Sequence, residues 1–234
     1  MESAEKERLI LIAVDGPVSA GKSTLCDALA KELDILHLDT GAMYRAIGLF
    51  AIENGISPDD EKTLDSVISE QKAAVSVEYQ GGLQLTLLNG KDVTGMLRGE
   101  AVGAAASSVS RFPSVRRYLV SVQQKMARQR SLLIDGRDIG TVVLPDAKVK
   151  IFLTASPEAR ALRRYTQLIS SGVKVDYQTV LSDLLARDEQ DQGRACDPLR
   201  PAKDAIILDT SALSFSDSLN RMLAIVRERY AIDS

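Results

Sequence analysis

The sequence predicts an α/β fold: a parallel five-stranded sheet core covered by helices, with a small antiparallel β insertion and a mobile lid. Three observations lead there. Short apolar runs bounded by turn or polar residues recur at residues 9–14, 35–38, 132–134, 149–153 and 205–208, and runs this apolar suit strands covered on both faces. Helical patterns lie between them. Ser57 before Pro58, and Ser156 before Pro157 and Glu158, each offer an N-cap side chain with proline at the first helical position, and strands alternating with helices imply a parallel sheet. One segment breaks this pattern. Val75, Val77 and Tyr79 alternate up to Gly81 and Gly82, and Leu83, Leu85 and Leu87 alternate up to Asn89 and Gly90, which reads as an antiparallel meander.

The length, 234 residues, suits one α/β domain with an elaboration. The core is expected over 1–72, 99–170 and 202–234, the β part of an insertion over 73–98, and a lid over 171–201, a polar stretch rich in Asp and Arg with Gly172, Gly193, Pro198 and Pro201. The 29 basic and 32 acidic residues are mixed along the chain and leave a net charge of −3, so no polyanion-binding tail exists and nucleic acid is not an expected partner. Cys26 and Cys196 stand in no metal-ligand or redox spacing, and reduced thiols in a cytoplasmic protein are the expectation. Residues 1–8 are polar and lack the pattern of a signal peptide, and no apolar run approaches a membrane span. No membrane partner is expected, and the chain is expected to act as a monomer.

Chemistry enters with Gly16-Pro17-Val18-Ser19-Ala20-Gly21-Lys22-Ser23-Thr24, which matches the phosphate-binding pattern GxxxxGK[ST]. It follows the strand 9–14 and precedes the helical stretch 25–33, the context that the pattern requires. Glycines let the backbone bend so that several N–H groups converge on phosphate, and the following helix adds its positive dipole end. Lys22 supplies a charge and Ser23 a hydroxyl for Mg²⁺. ATP is the expected donor. An acceptor must be argued from other residues. Asp39-Thr40-Gly41-Ala42-Met43-Tyr44-Arg45 and Asp135-Gly136-Arg137-Asp138 each leave a strand end, where open α/β sheets bind ligands. Together they surround the phosphate loop with arginines and carboxylates suited to a second anion facing the first.

These stretches resemble bacterial cytidylate kinases of the nucleoside monophosphate kinase group. The resemblance covers nearly the whole chain: the phosphate loop, residues 39–45, Phe112-Pro113-Ser114-Val115-Arg116, the run 135–145, the pattern Arg187, Asp188, Asp191, Arg194, then Pro198-Leu199 and Asp204-Ala205. It implies transfer of the ATP γ-phosphoryl group to CMP and dCMP. It implies that Arg45, Arg137 and Arg194 hold the acceptor phosphate, that Ser107, Arg116 and Asp138 read the cytosine edge, and that Thr40, Tyr44, Arg187 and Asp191 complete the acceptor and lid contacts. Arg160 and Arg164, four apart on one helix face, are expected to reach the donor phosphates. The chain departs from the family pattern at Thr40, where serine is frequent, at Ser19, where glycine is frequent, and at Gln190 and Gln192 in a lid that is often richer in arginine.

Catalysis in this scheme is positioning and charge neutralisation, with Lys22, Arg137 and Arg194 around the transferring group and no general base. His37, the only histidine, reads as a packed strand residue, and Cys26 as a packed thiol without a role. Asn89-Gly90-Lys91-Asp92 superficially matches a guanine-reading signature, but its residue order is wrong and a tight hairpin accounts for it. Two other readings stand beside the kinase: a phosphate-loop kinase for another small acceptor, and a nucleotide-binding switch. Several acceptor-side arginines favour a monophosphate.

Overall fold

The computed structural model describes residues 9–231; the polar segment 1–8 lies outside the described residues. In chain order the elements are β1 (Leu11–Asp15), α1 (Lys22–Glu32), β2 (Leu36–Asp39), α2 (Thr40–Glu53), α3 (Glu61–Ser69), β3 (Val75–Gln80), β4 (Leu83–Leu88), β5 (Lys91–Asp92), α4 (Glu100–Val109), α5 (Pro113–Ala127), β6 (Leu132–Gly136), β7 (Val149–Thr154), α6 (Pro157–Ser170), α7 (Tyr177–Gly193), β8 (Ile206–Asp209) and α8 (Phe215–Tyr230). Five strands form one parallel sheet in the order β2-β6-β1-β7-β8, as the apolar runs predict.

The sheet is buried on both faces because successive residues of β1 and β6 serve opposite layers. Ala13 and Ile134 pack with Met43 and Ile47 of α2 and Leu119 of α5, whereas Ile12, Val14 and Leu133 pack with Leu25 and Leu29 of α1 and Met222 and Val226 of α8. Each leucine or isoleucine buried in these layers contributes about 1.5–3 kcal/mol over its exposed state. α2 and α4 meet backbone to backbone at Gly48, where a Cβ would lie 2.9 Å from the Ala106 nitrogen. That close approach brings Arg45 and Ser107 to the same side of the sheet.

Ser156 caps α6 as expected, accepting from the Ala159 N–H at 3.2 Å. Ser57 does not cap a helix. Its carbonyl closes a turn with the Asp60 N–H at 3.0 Å, and α3 begins at Glu61 with Asp60 as its cap, accepting from the Thr63 N–H at 3.1 Å. Pro58 therefore sits in the turn before the helix.

The insertion is a β3-β4-β5 sheet whose turns are Gly81-Gly82 and Asn89-Gly90, all four at positive φ, the geometry of a type I′ hairpin. Leu83, Leu85 and Leu87 do not point inward. Val75, Val77 and Tyr79 share the covered face with Leu88, Thr86 and Gln84, which leaves Leu83, 73% exposed, on the outer face with Leu85 and Leu87. The inner face covers the open edge of β2. Gln84 accepts from the Asp39 N–H at 2.8 Å and donates to the Asp39 carbonyl at 3.2 Å, and the Tyr79 hydroxyl donates to the His37 carbonyl at 3.0 Å. Edge groups that would otherwise template another strand are thus satisfied. The segment after α6 is dominated by the 17-residue helix α7, which packs on α6 through Ala161, Val180 and Leu184. No helix of the described residues is long and apolar enough to cross a membrane.

Candidate active site

All the site residues expected from the sequence lie near the C-terminal ends of the parallel strands or on α4 to α7. Between β1 and α1 the loop 16–21 turns back on itself. Gly16 has φ 153°, and a Cβ there would stand 2.0 Å from the Leu153 carbonyl oxygen, so only glycine lets the loop pass β7. Gly21, at φ 86°, precedes α1 without a side-chain cap, which leaves the first N–H groups of that helix free for an anion. Pro17, Val18, Ser19 and Ala20 complete the loop and Thr24 lies in the first turn of α1. The Lys22 ammonium is buried and donates to the Gly16 and Pro17 carbonyls at 2.7 and 2.8 Å. Burial, and then the nearby Arg137 charge, lower its pKa to about 7.

The Ser23 hydroxyl donates to the Asp135 carboxylate at 3.3 Å. Asp135 lies one residue from the end of β6. Burial disfavours its ionisation, but hydrogen bonding and charge from His37, with Lys22 and Arg137, keep it below the ordinary carboxylate range. The other face of Asp135 engages His37, whose Nε2 lies 2.8 Å from Oδ1 and whose Nδ1 lies 2.5 Å from Asp27 of α1. His37 is therefore buried as expected but sits in an Asp-His-Asp chain rather than in plain packing. Although burial opposes its protonation, the two carboxylates raise its pKa to about 10. Cys26 is buried and its thiol is pushed well up by burial, which fits an inert packed side chain. Thr40 donates to the Asp135 carbonyl at 2.8 Å, tying α2 to β6.

Sequence reasoning missed Asp15. It ends β1 next to Gly16, and its two carboxylate oxygens accept the Ile139 and Gly140 N–H groups at 2.7 and 2.8 Å. Those amides open a π-helical turn over Ile139–Val143 that follows directly on Arg137 and Asp138, so one buried carboxylate fixes the phosphate loop and the loop after β6 to each other. Burial raises the Asp15 pKa to about 6.

Around β6, α5 and α7, cations and carboxylates interleave. Arg116, almost fully buried, donates through Nε to Asp197 at 2.8 Å, through Nη1 to the Ser110 carbonyl at 3.2 Å, and through Nη2 to Asp138, with its guanidinium 5.7 Å from the Tyr44 ring centre. Arg137 donates to Asp191 of α7 at 2.7 Å, and Arg45 lies 3.4 Å from Asp39. The Ser107 carbonyl accepts from Gln190 of α7 at 3.1 Å. Arg194 donates through Nε to the Asp197 carbonyl at 2.6 Å, but its buried Nη2 has no hydrogen-bond partner and lies 3.6 Å from Asp138. Arg187 Nε is likewise buried without a partner. Burial, and then the charges of Arg137 for Arg187 and of Arg116 for Arg194, hold both guanidinium pKa values below the ordinary one. Buried, under-compensated guanidiniums with free donors are suited to a dianionic phosphate.

Arg160 and Arg164 are placed differently from the expectation. Arg160 is committed to the Asp188 carboxylate at 2.6 and 3.1 Å, to the Ala155 carbonyl at 2.9 Å and to the Val18 carbonyl at 3.1 Å, while Arg164 pairs with Gln167 at 3.0 Å on the surface. The α6 arginine that the sequence did not single out is Arg163, which donates to the Ala20 carbonyl at 3.4 Å and the Thr210 carbonyl at 2.6 Å. Only the geometry of the loop could reveal these backbone partners.

A family model described as cytidylate kinase matches residues 12–228. A cytidylate kinase of Caldicellulosiruptor bescii is 45% identical over 216 residues, 92% of this chain and 95% of the relative, and one of Thermosipho melanesiensis is 44% identical over 218 residues, 93% and 97%. Among solved structures, an uncharacterized protein from Eubacterium ventriosum superposes with TM-score 0.52 at 13% identity over 94% of this chain and 99% of that one, a likeness of fold alone. With the phosphate-loop pattern and a family match that spans residues 12–228, this protein belongs to the cytidylate kinase family.

Proposed function

We propose that the protein phosphorylates CMP and dCMP from ATP by in-line phosphoryl transfer, with residues 171–201 acting as a lid. The observation that carries the reading is the pairing of two anion sites across the strand ends. The loop 16–24 offers converging N–H groups and the Lys22 ammonium to the donor phosphates. Opposite it, Arg187 and Arg194 hold buried donors without partners beside Arg137. A third feature selects the base. The Arg116–Asp138 pair is buried at the acceptor side, and an ionised carboxylate can only accept, which suits the cytosine amino group.

The acceptor's phosphate oxygen attacks the γ-phosphorus, and the protein's part is to align the two and to neutralise charge on the outer oxygens. Lys22 faces the donor side, and Arg45, Arg137 and Arg194 the acceptor side. The Ser23 hydroxyl and the Asp135 carboxylate form a hard oxygen pair that fits Mg²⁺, a cation that keeps several waters and needs few protein ligands. Mg²⁺ bound with ATP supplies charge neutralisation at the donor phosphates. Asp188 and Asp191 attach α7 to Arg160 and Arg137, so α7 can exclude water that would otherwise accept the phosphoryl group. The test is ATP with Mg²⁺ against CMP, dCMP, UMP, AMP and GMP, scored by diphosphate formed. CMP and dCMP lead; leading activity with AMP or GMP overturns the reading.

A further inference from the structure

Asp197 belongs to none of the motifs that carry the family likeness, yet it touches two arginines of the acceptor side. Its backbone lies in the left-handed region at φ 48°, a conformation that aspartate tolerates better than most residues. In that conformation its carbonyl accepts from Arg194 Nε at 2.6 Å while its carboxylate accepts from Arg116 Nε at 2.8 Å. The loop that carries it is tied back to α7 by the Leu199 N–H on the Asp191 carbonyl at 2.8 Å. Arg116 is thus held by two carboxylates, Asp138 from the β6 loop through Nη2 and Asp197 from the segment after α7 through Nε. Its Nη1 and Nη2 make one bond each to protein, and each nitrogen carries a second N–H that can donate.

We propose that Asp197 is a positioning residue for the acceptor nucleoside monophosphate: it orients the base-facing Arg116 by its carboxylate and the phosphate-facing Arg194 by its carbonyl, so that closure of one segment sets both. The inference rests on reading Arg116 and Arg194 as acceptor contacts. Asp197→Gly and Asp197→Asn separate its two functions, because both residues accept a positive φ and so keep the carbonyl in place. Glycine removes the carboxylate, and asparagine leaves a neutral acceptor.

A hydrogen bond between charged groups here is partly screened, since Asp197 is 27% exposed. Asp197→Gly is therefore expected to raise KM for CMP roughly three- to tenfold, with kcat and KM for ATP within about twofold of the parent. Asp197→Asn falls between the two. A KM for CMP unchanged or lowered in the glycine variant overturns the proposal, as do KM values for CMP and ATP that rise together, which would mark a general loosening. A parent enzyme that does not prefer CMP would instead overturn the acceptor reading itself, and the proposal with it.

Discussion

Arg160 grips Asp188 with two nitrogens, at 2.6 and 3.1 Å, and the same guanidinium reaches the Val18 carbonyl at 3.1 Å. One side chain of α6 thereby joins the phosphate loop to α7. The pair is buried, with Arg160 4% and Asp188 11% exposed, and removing one member leaves an uncompensated charge. Arg160→Met is expected to lower the unfolding free energy by about 3–5 kcal/mol in urea titration, and Arg160→Met combined with Asp188→Leu to recover much of that loss. If Arg160→Met unfolds at the parental urea midpoint, the ion pair does not hold α7.

Lys22 combines a cost to folding with a function. Its pKa falls from an ordinary 10.5 to about 7, so at neutral pH the fold pays for keeping a charge that phosphate would welcome. Lys22→Met is expected to be at least as stable as the parent to heat, and to lose kcat by about 10²-fold or more, because the lost charge acts where charge develops. Near-parental turnover in the folded variant would move the chemistry away from the phosphate loop.

Asp15 makes a pH signature. Its carboxyl titrates near 3.8 in the unfolded chain and about 6 in the fold, so between those values the folded state binds more protons. Its contribution to stability is full below the lower value and is lost as pH rises through the upper one. From pH 5 to pH 7 the parent should lose about 1 kcal/mol of unfolding free energy relative to Asp15→Asn, which does not titrate. Parallel pH profiles for the two proteins would place the ionisation elsewhere.

The parallel sheet was legible because β1 and β6 carry apolar residues on both faces, and Gly16 to Ser23 stood out because phosphate binding demands those residues at that spacing. What stayed hidden depends on contacts far apart in the chain. Asp15 acts on amides at 139 and 140, and nothing near residue 15 signals them. His37 reads as a strand residue until α1 brings Asp27 to its Nδ1. The alternation in β4 showed a strand but not which face turns inward: Gln84 and Thr86 take the inner face with Leu88, and Gln84 satisfies the polar edge of β2. At α3 the cap is Asp60, with two bonds to Thr63, rather than the Ser57 that the proline after it suggested.

In the proposed reading, base choice turns on Asp138, whose carboxylate is buried against Arg116 and lies 3.6 Å from Arg194. Cytosine offers an amino donor where uracil offers an oxygen acceptor, and an ionised Asp138 can only accept. An acceptor-only carboxylate at this position should attract the cytosine amino group and repel the uracil oxygen. Asp138→Asn keeps the shape, and its amide can turn to donate to uracil. A hydrogen bond to a charged group contributes about 1.5–3 kcal/mol, so kcat/KM for CMP should fall roughly ten- to a hundredfold. UMP should be spared, and the ratio of the two should drop at least severalfold by the same arithmetic. Measuring kcat/KM for both acceptors decides the point: an unchanged ratio at lower overall activity would mean that Asp138 organises Arg116 without reading the base.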